Sequence, residues 1–342
     1  MRYAYYYEKM NAADRAIYDN MYAGFLEHKE EIFLSTENLD SSHVVDVKWQ
    51  MEMDIPLLFF VAGRISVSFR AATGTWLLPQ YYMDAEETKR KMEQVKNAAM
   101  DFQKRFIKKG DSRLEVVRKA YSLFAQSIRY DYAALDQDEW QNYPAHTILG
   151  VMLQNKAVCE GISESFKLLM DACKIPCICV TGTGHGRVDG HEWNMVEIDG
   201  DFYHFDVTWA TEKTKTMFVD YSYFALSDDL IGRDHKDFLG EVPPATSRKA
   251  NLFDKNGWVA GSREDIDRYI QRTYKKVPYY MFLRLDYKCD VAKEVKYAVE
   301  ASQKRGRELK HGSTWTYSTW HEGIRTIRIY VTDVNDTSQN VF

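Results

Sequence analysis

The stretch HEWNMVEIDGDFYHFDVTW, residues 191–209, constrains the fold more than any other part of the chain. Two runs rich in aromatic and β-branched residues flank Asp199-Gly200, a dipeptide typical of a β-hairpin with a two-residue turn. With the turn at this dipeptide, His191 and Asp206 project from the same face, one diagonal step apart. Diagonal neighbours lie about 7–8 Å apart at Cα, so the hairpin predicts a contact between this imidazole and this carboxylate.

An amphipathic helix precedes the hairpin, within NKAVCEGISESFKLLMDACKIP at residues 155–176. Pro176 ends it. Cys159 therefore falls at the first turn, where unpaired N–H groups and the positive end of the helix dipole favour thiolate over thiol. The same N–H groups can bind a developing oxyanion. The apolar face of this helix consists of Ile162, Phe166, Leu169, Met170 and Cys173.

Thiol, imidazole and carboxylate together predict nucleophilic catalysis. Cys159 would attack the substrate, His191 would take the thiol proton, and Asp206 would fix the tautomer of the imidazole. Each residue also has a structural interpretation: a buried core thiol, a sheet histidine and a capping carboxylate. The combination on one compatible hairpin favours the catalytic interpretation.

The motifs resemble those of the transglutaminase-like superfamily, specifically its bacterial branch. The family's Cys-Glu-Gly motif stands at residues 159–161, its His-x-Trp-Asn motif at 191–194 and its Asp-x-Thr-Trp motif at 206–209. Glu192 occupies the position where the family usually has alanine. It lies on the opposite face of the hairpin from His191, so we expect this change to matter little. The resemblance covers about residues 112–212.

This resemblance implies an α+β, papain-like fold, in which the cysteine helix packs on an antiparallel sheet with small α+β regions on either side. It also implies a thioester formed from an amide and resolved by water or an amine. We expect a peptidase or amidase acting on a peptide or protein. The alternatives are a glutamine–amine transglutaminase and a non-catalytic module that binds peptide or cell-envelope material.

Four further residues are candidates for substrate binding. Trp193 and Trp209 would shape a substrate channel or pack the sheet. Gln154 precedes the cysteine helix closely enough to donate to an oxyanion, although a solvated loop is the alternative. Tyr130 would donate to an oxyanion or close the cleft, with core packing as its alternative.

Three regions are predicted: 1–110, a catalytic core over 111–242, and a C-terminal module over 243–342, with the boundary at the Pro-Pro pair. In the first region, residues 43–49 and three later runs indicate a small antiparallel sheet. In the module, we expect helices over 262–277 and 290–306 and strands over 278–287 and 323–333.

We expect neither metal nor cofactor. Residues 173, 177 and 179 are cysteines without metal-ligand spacing, and His146, His185 and His204 form no ligand pattern. A net charge of −5 gives no reason to expect nucleic acid as a partner. No apolar run is long enough for membrane insertion. Five cysteines, an odd number, and an N-terminus without an apolar signal segment predict a cytoplasmic protein with free thiols.

Overall fold

The chain is an α+β protein, as predicted. The structure is a computed structural model that describes residues 3–184, 190–213 and 219–334. Three sheets of three or four strands organise the described residues, one in each successive region of the chain. Each sheet contributes to a hydrophobic cluster, and a further cluster joins Tyr6 and Met53 of the first region to Ile178 and Trp193 of the second.

The N-terminal region wraps helices around a small sheet. Its elements are α1 (Tyr5–Lys9), α2 (Ala12–Leu26), β1 (Ile32–Ser35), α3 (Ser41–Asp54), a 3₁₀ turn (Pro56–Leu58), β2 (Val61–Arg70), β3 (Gly74–Tyr81) and α4 (Ala85–Phe106). The antiparallel strand order is β1-β3-β2.

The strand expected over residues 43–49 is wrong, because these residues lie within α3. The side chain of Asp40 accepts from the backbone N–H of Ser42 and so caps the helix. Val44, Val47 and Met51 recur three and four residues apart and are all buried. Helical spacing and the cap therefore outweigh the β-propensity of the valines.

The central region contains the cysteine helix and a second sheet. Its elements are α5 (Arg113–Ser127), β4 (Arg129–Tyr130), a 3₁₀ turn (Tyr132–Asp136), α6 (Glu139–His146), a π-turn (Gly150–Gln154), β5 (Lys156–Ala157), α7 (Cys159–Ala172), β6 (Cys177–Gly184), β7 (Gly190–Ile198), β8 (Asp201–Phe205), α8 (Val207–Lys213), α9 (Asp228–Ile231) and β9 (His235–Lys236). The sheet has the antiparallel order β8-β7-β6-β9, and β4 pairs with β5.

The predicted hairpin is present as β7 and β8. Asp199 and Gly200 form its turn with φ angles of 54° and 90°, both in the left-handed region that a two-residue hairpin turn of this type requires. Met195 pairs with His204, which is the register that this turn fixes. The local turn signal therefore determines which side chains share a face.

The start of α7 is seated against the segment before it. Gly161 leaves no room for a side chain, since an added Cβ would lie 2.6 Å from the carbonyl oxygen of Thr147 and 2.8 Å from that of Ala145. The backbone N–H of Val158 donates to the same carbonyl of Ala145. The glycine of the Cys-Glu-Gly motif thus lets the helix approach this segment closely and fixes the position of Cys159.

The C-terminal module contains both predicted helices and both predicted strands. Its elements are α10 (Leu252–Asn256), β10 (Val259–Ala260), α11 (Arg263–Thr273), β11 (Tyr279–Leu285), α12 (Val291–Glu308), β12 (Thr314–His321) and β13 (Thr326–Asp333). The sheet order is β10-β11-β13-β12. Strand β12, which sequence reasoning missed, forms a hairpin with β13. Among the helices described, none has the length and apolar character needed to cross a bilayer.

Candidate active site

The hairpin brings His191 and Asp206 into contact. Nε2 of the imidazole lies 2.8 Å from Oδ2 of the carboxylate. The histidine is 5% exposed and the aspartate is fully buried, so solvent screens this pair little. Because Nε2 faces the carboxylate, Nδ1 is the ring nitrogen left for the thiol.

The Cys159 thiol lies at the start of α7, next to His191. It forms a hydrogen bond with the imidazole, and the backbone N–H of Glu192 donates to it. Burial alone would raise the pKa of Cys159, but the imidazole and this N–H outweigh burial and lower the pKa below its ordinary value. The structure thus favours a thiolate.

Each partner's pKa shifts in the direction that an ion pair requires. Burial opposes the charge of His191, but the Asp206 carboxylate and the thiol outweigh it and raise the pKa of His191 to about 10. Burial also opposes the charge of Asp206, yet the neighbouring imidazoles lower its pKa well below the usual value. All three shifts therefore favour the charged forms, which are thiolate, imidazolium and carboxylate.

Two further contacts hold β7 against α7. The hydroxyl of Ser163 donates to the carbonyl of Glu192 over 2.9 Å. The side-chain amide of Asn194 donates to the carbonyl of Ser163 over 3.0 Å. The asparagine of the His-x-Trp-Asn motif therefore fixes the strand that carries His191 to the helix that carries Cys159, a role that sequence reasoning did not assign.

Glu192 is buried and faces other acidic side chains. It is 5% exposed, and Glu164 on α7 is 7% exposed. Burial, with repulsion from neighbouring carboxylates, raises the pKa of Glu192 and the pKa of Glu164 well above the usual value. Both shifts favour the neutral form of these carboxyl groups. The prediction that glutamate in place of alanine matters little rested on the face that Glu192 occupies. The sequence did not indicate that this side chain is buried.

Asp206 accepts two more hydrogen bonds. Its Oδ1 accepts from the backbone N–H of Trp209 at 2.9 Å, and its Oδ2 lies 3.1 Å from Nε2 of His235. Nδ1 of His235 in turn lies 2.7 Å from Oδ1 of Asp234. Sequence reasoning missed both of these residues. The only local signal was the adjacent Asp-His pair in a segment without periodicity.

The four candidate substrate residues lie in different environments. Trp193 is fully buried, and its ring lies 5.9 Å from that of His191, as expected if it packs the sheet. Trp209 is half-buried and stacks on His191 with ring centroids 5.3 Å apart, so it covers one face of the imidazole. Tyr130 is half-buried and packs against two hydrophobic clusters. Gln154 is exposed at the end of the π-turn.

One group of described side chains could bring three metal ligands together: His191, Asp206 and His235, whose ligand atoms lie within 4.8 Å of one another. A histidine must be neutral to bind a metal. Hydrogen bonds to carboxylates raise the pKa of both imidazoles despite burial and so favour their protonated forms, which do not bind a metal. The hydrogen-bonded arrangement therefore accounts for the group.

The other thiols and histidines considered as ligands lie elsewhere. All five cysteines are free thiols. His146 contacts Glu160, and Nε2 of His204 lies 3.0 Å from Asp228. His185 lies outside the described residues.

Residues 100–207 match the family described as the transglutaminase-like superfamily. The chain therefore carries a transglutaminase-like core, as its motifs predicted. No curated protein matches the chain.

Three solved structures are similar to parts of the chain. A TGase shares 14% identity over 50% of this chain and 49% of its own, with a TM-score of 0.31. A candidate cysteine protease from Cytophaga hutchinsonii shares 11% over 42% and 61%, with a TM-score of 0.27. Menin shares 12% over 78% and 62%, with a TM-score of 0.29. The matched part spans about half of the TGase chain and about three fifths of each of the other two chains. At these TM-scores the similarities add nothing to the family match.

Proposed function

We propose that the protein is a cysteine-dependent hydrolase that cleaves an amide bond in a peptide or protein. The observation that carries the proposal is the buried contact of 2.8 Å between His191 and Asp206, with the Cys159 thiol hydrogen-bonded to the same imidazole. A thiolate paired with an oriented imidazolium is the arrangement that nucleophilic catalysis requires.

The first half of the reaction forms a thioester. The sulfur of Cys159 attacks the amide carbonyl, and the carbonyl oxygen becomes an oxyanion that N–H groups at the start of α7 stabilise. His191 then gives its proton to the leaving amine as the C–N bond breaks. Asp206 keeps Nε2 protonated and directs Nδ1 toward the reacting atoms.

The second half consumes the thioester. His191, now neutral, takes a proton from water while the water oxygen attacks the thioester carbonyl. The C–S bond breaks, the carboxylic acid leaves, and Cys159 returns as the thiolate. Trp209 covers one face of His191 and limits the water that can reach the ring from that side.

Transamidation is the alternative, because an amine attacks the same thioester when it reaches the site before water. It requires a second cleft that admits an amine and excludes water while the acyl group waits. Hydrolysis requires only water and the imidazole, and the imidazole is already in place from the first half of the reaction. We therefore propose water as the acceptor.

The acceptor can be identified by incubating the protein with peptide libraries, with and without an excess of a labelled primary amine, and analysing the products by mass spectrometry. We expect peptide fragments or deamidated glutamine in both incubations and none with Cys159→Ala. Stable incorporation of the amine as the main product would identify a transglutaminase. A selectively reactive Cys159 with no product from any library would favour the binding-module alternative.

A further inference from the structure

We infer that His235 and Asp234 are positioning residues for the proposed active site, and that the C-terminal module sets their position through the turn between β12 and β13. This inference rests on the proposed function, since it assigns a role to the groups that hold Asp206. It adds a second imidazole–carboxylate pair behind the first.

Both nitrogens of His235 face carboxylates. Nε2 lies 3.1 Å from Oδ2 of Asp206, and Nδ1 lies 2.7 Å from Oδ1 of Asp234. Both nitrogens can donate at once only if the ring is an imidazolium. The ring is 1% exposed, so a buried cation joins two buried carboxylates. Such a cation fixes the carboxylate oxygen that also accepts from His191.

Asp234 is itself held on its other oxygen. The hydroxyl of Tyr223 donates to Oδ2 of Asp234 over 2.7 Å. Tyr223 also holds the main chain of the active site, because its carbonyl accepts from the backbone N–H of Asp206. Side chain and main chain of Asp206 are thus both tied to the same small cluster of Tyr223, Asp234 and His235, which we call the rear cluster.

The C-terminal module packs directly on the rear cluster. Gly323 lies in the turn between β12 and β13, and a Cβ added there would lie 2.3 Å from Oδ2 of Asp234 and 2.7 Å from its Cγ. Real Cβ atoms do not approach other atoms this closely, so any side chain at this position would displace the turn or Asp234. The absence of a side chain at Gly323 is therefore what permits the observed position of Asp234.

Three further contacts join the module to the segment that carries Tyr223. Nε2 of His321 lies 2.7 Å from Oδ2 of Asp220, and the Arg328 guanidinium lies 3.1 Å from the same oxygen. The hydroxyls of Ser222 and Thr326 lie 2.8 Å apart. These residues are all buried, so the contacts fix the module in place rather than tether it loosely.

The test compares two glycine-to-alanine variants in this module. Gly323→Ala places a methyl group against Asp234, whereas Gly312→Ala places one at an exposed position with nothing within 4 Å. We expect Gly323→Ala to slow alkylation of Cys159 and turnover about 10- to 100-fold, as loss of a partner that orients a functional side chain does elsewhere. Gly312→Ala should match wild type.

A second pair of variants separates positioning from mere stability. His235→Phe replaces the imidazole with an aromatic ring that has no donor, and His235→Gln supplies an N–H group that can reach Asp206. We expect the phenylalanine variant to lower kcat with little change in KM, and the glutamine variant to recover part of the loss. The charged or titratable groups that face this ring are His191, His204, Asp206, Tyr223 and Asp234.

The pH dependence of Cys159 alkylation distinguishes positioning from stability, because a less stable fold alone would not change the pKa of His191. The ring centroid of His235 lies 5.5 Å from that of His191. Loss of the positive charge on His235 should therefore let His191 keep its proton to higher pH. In His235→Phe, the change in alkylation rate that accompanies loss of the His191 proton should therefore occur at a higher pH than in wild type. An unchanged profile, or a Gly323→Ala variant that reacts like wild type, would refute the inference. Alkylation needs no substrate, so it tests this inference even if no amide is ever cleaved and the proposed function fails.

Discussion

Replacing Cys159 with alanine is expected to abolish amide cleavage, with a loss of about 10⁶-fold in kcat, the size observed when a triad nucleophile is removed. The variant loses the atom that attacks the carbonyl, and no other described thiol contacts the His191–Asp206 pair. The fold should persist, because the side chain is small and half-buried.

The matched control is Cys173→Ala, which lies at the other end of the same helix and is also half-buried. Burial raises the pKa of this thiol, although Gln103 partly opposes the rise, so it is not a thiolate at neutral pH. We expect its activity to equal that of wild type. Retention of activity in Cys159→Ala, or its loss in Cys173→Ala alone, would remove Cys159 from the mechanism.

Asp206→Asn should lower kcat by about 10³- to 10⁴-fold, as loss of the orienting carboxylate does in other triads. The carboxylate accepts from His191, His235 and the backbone of Trp209. An amide keeps the shape but loses the charge, and one of its two polar atoms donates instead of accepting. The imidazole would then adopt the wrong tautomer. The measurement is steady-state turnover together with thermal unfolding.

Asp199→Asn is the matched control for this change, since it makes the same substitution at the exposed turn of the same hairpin. Asparagine tolerates the left-handed conformation found there, with φ at 54°, and is favoured in this turn. We expect no change in activity. If Asp206→Asn retained both stability and turnover near those of wild type, the carboxylate would be a structural residue.

Local signals explain what could be predicted from the sequence. The turn at Asp199-Gly200 fixes the hairpin register, and the register fixes which side chains share a face with His191. The start of α7 likewise follows from the apolar periodicity and places Cys159 in its first turn. Both depend on residues close together in the chain, which a sequence displays directly.

Non-local contacts explain what could not be predicted. His235 belongs to a strand of two residues that pairs with the far end of β6, about fifty positions earlier in the chain, and no periodicity marks so short an element. Gly323 lies still farther along the chain from the groups it contacts. Burial of Glu192 beside Glu164 depends on how β7 packs on α7, which the alternation along β7 alone does not reveal.

The central claim is that Cys159 is held as a thiolate by His191, and the rate of alkylation by iodoacetamide at each cysteine, followed by mass spectrometry from acidic to alkaline pH, tests it most directly. Despite burial, the imidazole of His191 and the backbone N–H of Glu192 lower the pKa of Cys159. Cys173 and Cys289 are the other two half-buried thiols, and burial raises the pKa of both. We therefore predict that Cys159 reacts well below the pH of about 8.5 at which an ordinary thiol titrates, and does so ahead of both. In His191→Ala this early reaction should disappear and the rate should rise only near the ordinary thiol pKa. Equal rates at Cys159, Cys173 and Cys289, or a profile unchanged in His191→Ala, would contradict the account.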